Sequence, residues 1–193
     1  MRVVAMVGFL ALAMPALGET VWEIDPAHTG VQFSIRHLTI SNVRGQFTKV
    51  AGTVRGDEKD PAHAQVEATI DTASIDTREP KRDEHLRSAD FLDVANYPTM
   101  TFKSKTIEKA GDGRYKVTGD LALHGVTREV VLDVEGPTPP MTDPRGNVRA
   151  GAQATAKIDR RDFVIVWNKA LEGGGLTVGN EVSITIDVEG VKK

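Results

Sequence analysis

Apolar and polar residues alternate one by one along most of this chain. The C-terminal stretch is the clearest case, because Val182, Ile184, Ile186 and Val188 are separated by single polar residues. A period of two places every apolar side chain on one face of a β-strand. The alternation recurs in further rows, which are Val31, Phe33 and Ile35; Val66, Ala68 and Ile70; Met100 and Phe102; Tyr115, Val117, Leu121 and Leu123; and Val130, Leu132 and Val134. The pattern predicts strands with one buried face.

The predicted sheet is antiparallel. Strands buried on one face are usual in antiparallel sheets, whereas strands of parallel α/β sheets are apolar throughout and need long helical crossovers. Turn-forming pairs such as Gly56-Asp57 and His124-Gly125 separate the rows and favour hairpins. About eight such strands close into a barrel that holds either side chains or one small ligand. The fold class is therefore predicted as all-β, an antiparallel eight-stranded barrel, with a two-sheet sandwich as the alternative.

One segment, from Glu79 to Tyr97, interrupts the alternation. It is rich in charge, and Leu86, Ala89 and Leu92 are spaced by three, which is compatible with a short helix that has one apolar edge. Pro98 marks its predicted end. We expect a short helix and loop near residues 80–97 to lie across one mouth of the barrel.

The N-terminal residues have the composition of a secretory signal peptide. Arg2 precedes an apolar run from Val3 to Met14, and small residues follow up to Gly18. The run is shorter than the roughly 20 residues of a membrane-spanning helix. We therefore predict a signal peptide over residues 1–18 that is cleaved after Gly18, a single domain over residues 19–193, and a location in the periplasm.

Charge and cysteine content narrow the function. Loss of Arg2 with the signal peptide changes the net charge from −3 to −4, and no basic block is present that would predict a nucleic-acid partner. The chain has 0 cysteines. An exported domain without disulfides must derive its stability from burial and from a closed hydrogen-bonded ladder.

The sequence lacks a recognisable catalytic signature. The histidines, at positions 28, 37, 63, 85 and 124, are scattered, without the H-E-x-x-H arrangement or the i, i+4 spacing of two ligands on a helix. No serine lies in a G-x-S-x-G elbow. We predict that the chain is not an enzyme and has no metal site. The alternative is a metal-binding protein or hydrolase that uses His28, His37, His85 or His124 with carboxylates.

The barrel interior is the remaining candidate for a site. Its apolar rows either pack it solid or surround a cavity. Small residues favour a cavity because they leave space, and these are Gly45, Gly52, Gly119, Ala150, Gly151, Ala152, Ala154 and Ala156. A cavity lined in this way would select a long apolar chain, since nothing inside solvates a polar ligand body.

A series of short motifs runs through nearly the whole mature chain. They are Trp22-Glu23-Ile24-Asp25-Pro26 with His28-Thr29, Phe33 with His37, Gly45-Gln46-Phe47, Ser74-Ile75-Asp76-Thr77, Arg82-Asp83-Glu84-His85-Leu86, Asp90-Phe91, Tyr97-Pro98, Phe102, Gly119-Asp120-Leu121 and His124-Gly125-Val126-Thr127. In this order they resemble the YceI-like family of periplasmic lipid-binding proteins, also described as polyisoprenoid-binding. The resemblance implies an extended lipocalin-like barrel that encloses an isoprenoid or other long-chain amphiphile.

The resemblance also implies where a ligand would lie. No cofactor is expected other than a bound isoprenoid or fatty-acid-like lipid. Arg82, His85 and Arg87 are candidates for contact with its polar head, the alternative being that they only fix their own loop. Candidate protein partners are a membrane cytochrome or quinone system and a second copy in a homodimer. The candidate cavity-lining residues are Phe33, Ile35, Phe47, Val66, Ile70, Phe91, Met100, Phe102, Leu121, Leu123, Ile184 and Ile186.

Two positions depart from the family pattern. Thr29 stands where serine is common and keeps the hydroxyl group. Val164 follows the Asp162-Phe163 pair, at a position where glycine is common. The sequence leaves open whether the added bulk of Val164 affects the local shape of the cavity.

Overall fold

A computed structural model describes residues 20–172 and 174–193 of the chain. The predicted signal peptide, residues 1–18, lies outside them and stays a prediction. The strands are β1 (Thr20–Ile24), β2 (Gly30–His37), β3 (Ser41–Phe47), β4 (Val50–Asp57), β5 (Asp60–Asp71), β6 (Ile75–Asp76), β7 (Thr99–Gly111), β8 (Arg114–Leu123), β9 (Val126–Glu135), β10 (Met141–Thr142), β11 (Val148–Asp159) and β12 (Val178–Lys192). The helix α1 spans Pro80–Arg87, and short 3₁₀ turns cover Thr72–Ser74 and Arg160–Phe163.

The strands close into a ring of eight. Its order is β11, β9, β8, β7, β5, β4, β1 and β12, and β12 pairs with β11 to complete it. All of these pairings are antiparallel. A closed ring has no free sheet edge, which distinguishes it from a two-sheet sandwich. The predicted eight-stranded antiparallel barrel is therefore confirmed.

Two of the barrel's walls are each made from two consecutive strands. The long β12 pairs with β2 over residues 178–187 and with β1 over residues 190–192, so β1 and β2 follow each other along it. On the next wall, β3 pairs with β2 and β4 pairs with β1. The short β6 adds to β3 where β5 has ended. Each of these two walls is therefore longer than either of the strands that form it.

The apolar rows predicted from the alternation face inward. On β12, for example, Val182, Ile184, Ile186 and Val188 all border the interior, and the predicted rows of β2, β5, β7, β8 and β9 do the same. Their polar neighbours lie outside, where exposed ion pairs such as Lys116 with Asp133 join adjacent strands. The alternation of apolar and polar residues thus predicted correctly which face of each strand faces the interior.

The segment after β6 closes one end of the barrel. It contains the predicted short helix, but α1 ends at Arg87 rather than near Pro98. Ser88 ends it in an extended conformation, and its backbone N–H and hydroxyl both donate to the carbonyl of His85, at 3.1 and 2.8 Å. Ala89 and Leu92 therefore lie beyond the helix. The prediction that they form one apolar helical edge with Leu86 was wrong.

This closed end contains much of the tightly packed core. Ile75, Phe91, Leu92, Phe163 and Ile165 are buried in one cluster there. Phe163 is 1% exposed, one of the most completely buried side chains among the described residues. No helix within the described residues has both the length and the apolar character needed to cross a membrane.

Candidate ligand-binding cavity

The barrel is hollow. A cavity of about 970 Å³ runs through its interior. This volume is at the upper end of the roughly 300–1,000 Å³ of ligand pockets. Inward-facing residues such as Phe33, Leu121 and Ile184 remain only half-buried. They keep accessible surface because no side chain covers them across the axis, so the packed-core alternative does not apply.

The candidate lining residues all border this cavity. They are Phe33, Ile35 and Phe47 from β2 and β3; Val66 and Ile70 from β5; Phe91 after α1; Met100 and Phe102 from β7; Leu121 and Leu123 from β8; and Ile184 and Ile186 from β12. Their position follows from strand alternation, apart from Phe91, which lies in the loop that closes the barrel. Their contact with a ligand stays a prediction.

The small residues divide into two groups with different roles. The alanines of β11 border the cavity, and their short side chains leave space there, as predicted. They are Ala152, Ala154 and Ala156. At Gly45 and Gly119, phenylalanine rings occupy the space beside the backbone. A Cβ at Gly45 would lie 2.5 Å from Cζ of Phe33, and one at Gly119 would lie 2.5 Å from Cζ of Phe102.

Gly52 leaves no space either. A Cβ there would collide with the carbonyl oxygen of Glu67 and would lie 2.8 Å from Cδ1 of Ile24. The prediction that glycines open the cavity was therefore wrong at positions 45, 52 and 119. When a glycine faces an aromatic residue, the aromatic ring occupies the space that the missing side chain leaves. The sequence does not show which residue a glycine faces.

The two ends of the cavity differ in chemistry. At the closed end its walls are buried apolar side chains, including Ile75, Phe91, Leu92 and Ile165. At the other end it reaches the β4–β5 turn at residues 56–59, the β7–β8 turn at Gly113, and residues 136–140 after β9. The first of these turns carries the exposed charges Asp57, Glu58 and Lys59. This end forms the mouth, because its bordering residues are largely exposed loops.

The three candidates for head-group contact do not border the cavity. Arg82 donates from Nε to the hydroxyl of Thr77 at 2.7 Å and from Nη2 to the carbonyl of Thr77 at 2.9 Å. Arg87 donates to the carbonyl oxygens of Ala73 at 2.8 Å and Ile75 at 2.6 Å. The structure therefore corrects their expected place at a ligand-accessible rim and favours the alternative that they fix the loop.

His85 also serves the loop. Its Nε2 lies 2.8 Å from Oδ2 of Asp90. Its ring stands edge-on to the rings of Phe91 and Trp167, at centroid distances of 5.0 and 4.9 Å. Trp167 in turn packs against Phe91, at 5.1 Å. Phe91 is thus held in the cavity wall from behind by two rings.

The histidines do not converge on a metal centre. Within residues 20–172 and 174–193, the one group of three potential ligands is Asp25, His28 and Glu189, whose ligand atoms lie within 4.8 Å of one another. The guanidinium of Arg149 already donates to both of these carboxylates, at 2.7 Å to Asp25. A bound arginine supplies the positive charge that a metal ion would bring, so the cluster is an ion-pair network.

This network, centred on Arg149, joins three parts of the chain. Arg149 also donates from Nε to Oδ2 of Asp143, at 2.7 Å. The hydrogen bonds from Arg149 hold the pKa values of the Asp25 and Asp143 carboxyls well below their usual range, and the three carboxylates raise the pKa of the guanidinium. We refer to Arg149 with Asp25, Asp143 and Glu189 as the Arg149 clasp.

Sequence reasoning missed a buried charged residue at the cavity. Arg160 borders the closed end and is only 4% exposed. The signal was present in the sequence, because Arg160 continues the inward-facing row of Ala152, Ala154, Ala156 and Ile158 with the same period of two.

Val164 lies away from the cavity. Its side chain is 56% exposed, and its backbone has the left-handed φ of 61°. Its bulk therefore does not shape the cavity, which answers the question that the sequence left open. What valine changes here is the backbone energy of the turn, because a β-branched residue is strained at positive φ.

Comparison with known proteins identifies the family. The model of the YceI-like domain matches residues 22–190. The chain is 40% identical over 192 residues to UPF0312 protein ECA1782 of Pectobacterium atrosepticum, covering 97% of this chain and 94% of that protein. It is 43% identical over 170 residues to protein YceI of Escherichia coli O157:H7, covering 86% and 83%. The crystal structure of Burkholderia cenocepacia BcnA matches with a TM-score of 0.73 at 25% identity, covering 86% of this chain and 98% of that one. The chain therefore belongs to the YceI-like family.

Proposed function

We propose that this protein is an exported lipid carrier that encloses an isoprenoid or another long-chain amphiphile in its barrel. The observation that carries this proposal is the cavity of about 970 Å³ with walls of Val, Ile, Leu, Met, Phe and Ala side chains. Such walls offer an apolar chain the same environment as a protein core. Between Arg160 at the closed end and the mouth they offer few hydrogen bonds to the body of a polar ligand, which would lose its hydration on entry.

Burial of the tail accounts for the affinity. Each buried CH₂ contributes about 0.8 kcal/mol, so a chain of roughly fifteen carbons offers about 12 kcal/mol before the cost of association. Part of this free energy is spent on immobilising the flexible chain. The remainder is enough for tight binding, and a polar head then determines orientation and selectivity more than affinity.

A matched pair of substitutions on β11 tests the proposal. Ala156 faces the cavity, and its neighbour Thr155 is exposed on the outer face. Lipid is extracted with solvent from natively purified protein and quantified by mass spectrometry. We expect close to one long-chain molecule per wild-type barrel, a similar amount in Thr155→Phe, and a large loss in Ala156→Phe.

Two results would contradict the carrier role. One is a clean solvent extract from wild-type protein that also fails to take up added oleate or farnesol. The other is equal lipid content in Ala156→Phe and Thr155→Phe, since the lipid would then lie outside the barrel.

The location of the carrier is part of the same proposal. Residues 1–18 have the charge and apolar pattern of a signal peptide, and loading with lipid at a cell envelope requires export. N-terminal sequencing of protein from a periplasmic extract should begin at Glu19. A mature chain that still begins at Met1 would contradict export by this route.

A further inference from the structure

Arg160 is a buried cation at the closed end of an otherwise apolar cavity. Only 4% of its surface is exposed, and it borders the cavity beside Ile158 and Ile165. A charge buried in such surroundings is costly unless it is paired with an opposite charge. Burial accordingly lowers the pKa of the guanidinium, which nevertheless stays protonated in proteins.

The partners of Arg160 are neutral. Its Nε donates to the carbonyl of Gly179 at 2.8 Å, and its Nη1 donates to the carbonyls of Ile165 at 2.7 Å and Trp167 at 2.8 Å. Its Nη2 has only a long contact of 3.5 Å to Oδ1 of Asn180. These bonds satisfy the inner donors and leave Nη2 with spare capacity.

Within the described part of the chain, no carboxylate forms a direct ion pair with this guanidinium. Throughout residues 20–172 and 174–193, no Asp or Glu oxygen lies within 4.0 Å of its nitrogens. The carboxylate next to it in sequence, Asp159, is bound by Arg161, whose Nη2 lies 2.5 Å from Oδ2 of Asp159. Asp159 is thus paired with Arg161 and acts on Arg160 only at a distance, so the guanidinium of Arg160 has no carboxylate in direct contact.

We propose that Arg160 binds the anionic end of the ligand, a carboxylate or a phosphate, so that the amphiphile enters head first and its tail points toward the mouth. This inference rests on the proposed carrier function and names the head-group chemistry that the cavity selects. A carboxylate or phosphate accepts charge-assisted hydrogen bonds from a guanidinium, which are about twice as strong as neutral ones. The anion supplies a counter-charge in direct contact with Arg160. The mouth offers no comparable site, because its Asp57 and Glu58 lie beside Lys59 and Glu58 pairs with Lys192 at 2.8 Å.

Chemically matched ligands separate charge recognition from tail burial. Oleate, oleyl phosphate and oleyl alcohol share one tail and differ in the head group. Their dissociation constants are measured with delipidated wild type, Arg160→Gln and the control Lys157→Gln, which removes an exposed charge on the outer face of the same strand, outside the cavity.

We expect Arg160→Gln to weaken binding of at least one of the two anions by about 10-fold or more, which is the scale of a lost charge-assisted hydrogen bond. Oleyl alcohol should change by less than about 2-fold on that scale, and Lys157→Gln should bind all three like wild type. Which anion loses affinity identifies carboxylate or phosphate as the head group. Equal losses for the alcohol and both anions, or no loss for any ligand, would overturn the proposal.

A second measurement keeps Arg160 intact, because this residue also anchors the 165–167 segment and its substitution affects folding. The chain has 2 tryptophans, one at each end of the cavity. Trp22 borders the cavity on β1, where it pairs with Lys192 at the end of β12, and Trp167 packs behind Phe91 at the closed end. Each is studied alone in the Trp167→Phe or Trp22→Phe protein.

Stearic acids that carry a nitroxide quencher at carbon 5 or carbon 16 report the direction of the chain. Head-first binding predicts that the carbon-5 label quenches Trp167 more strongly than Trp22, and that the carbon-16 label shows the reverse order. The opposite pattern would overturn the orientation while leaving the carrier function intact. Absence of quenching by either label at both tryptophans would instead contradict lipid binding itself.

Discussion

At the scale of single residues, Val164 shows how a sequence departure acts through the backbone. It ends the 3₁₀ turn Arg160–Phe163 with φ of 61°, and its N–H donates to the carbonyl of Arg161 at 3.0 Å. Left-handed geometry costs an L-residue roughly 1–2 kcal/mol, whereas glycine adopts it without steric penalty. Glycine, which the family pattern implies at this position, would suit that geometry.

We therefore expect Val164→Gly to stabilise the protein. Relief of strain outweighs the entropy lost by glycine, and the net gain is about 1 kcal/mol, or roughly 2–4 °C in Tm for a chain of this size. The measurement is thermal unfolding followed by circular dichroism. The control is Val166→Gly, since Val166 is also exposed but has no left-handed φ, and it should lower Tm. A lower Tm for Val164→Gly would show that the side chain makes contacts worth more than the strain.

At the scale of elements, the Arg149 clasp joins segments that the barrel ladder alone leaves apart. Asp25 follows β1, Asp143 lies between β10 and β11, and Glu189 belongs to β12. The side chains of Arg149, Asp25 and Asp143 are 17%, 14% and 13% exposed, so water screens these ion pairs less than the pairs on the outer wall. The clasp thereby fixes the start of β11 close to the mouth.

Removal of the arginine should destabilise the protein in a pH-dependent way. Arg149 holds the pKa values of Asp25 and Asp143 below the ordinary 3.8, so its stabilisation is complete above pH 3.8 and is lost as the pH falls through the lowered values. In Arg149→Met the clustered carboxylates repel one another until they are protonated. We expect Tm to fall by several degrees at pH 7, and the difference from wild type to narrow below pH 4.

The control for this experiment is Arg114→Met on β8. Among residues 20–172 and 174–193, Arg114 forms its ion pair with Glu135, in a contact where both side chains are more than half exposed. Exposed pairs of this kind contribute little, so its Tm should stay close to wild type at every pH. A difference between Arg149→Met and wild type that is independent of pH would show that the arginine acts through packing alone.

The elements also show how far the sequence could be interpreted without coordinates. Strand alternation predicted the walls and the inward faces, because side-chain direction in a strand is a local property of period two. The end of α1 was not predicted, since it depends on the hydrogen bonds from Ser88 to His85 and on how the following loop meets the barrel. The sequence did not show that Arg82 and Arg87 are occupied. Their carbonyl partners lie at Thr77, Ala73 and Ile75, and only the fold brings this segment against α1.

At the scale of the whole molecule, hollowness was the property that the sequence left open. Each apolar row fits a packed core as well as a cavity, and the difference depends on the radius of the closed ring and on how far side chains reach across it. Eight strands, with a run of alanines on β11, leave the axis open. The same feature that gives the barrel room for a lipid deprives it of the contacts that stabilise a solid core.

A hollow barrel should consequently depend on its ligand for part of its stability. A ligand that binds only the folded state at 100 times its dissociation constant adds about 2.7 kcal/mol, or roughly 5–10 °C in Tm for a chain of this size. We expect delipidated wild type and Thr155→Phe to gain this amount when oleate is added. Ala156→Phe should gain little, because its own ring occupies the space. An equal gain in Ala156→Phe and Thr155→Phe would mean that the lipid stabilises the outer surface, and that the interior cavity is not where it binds.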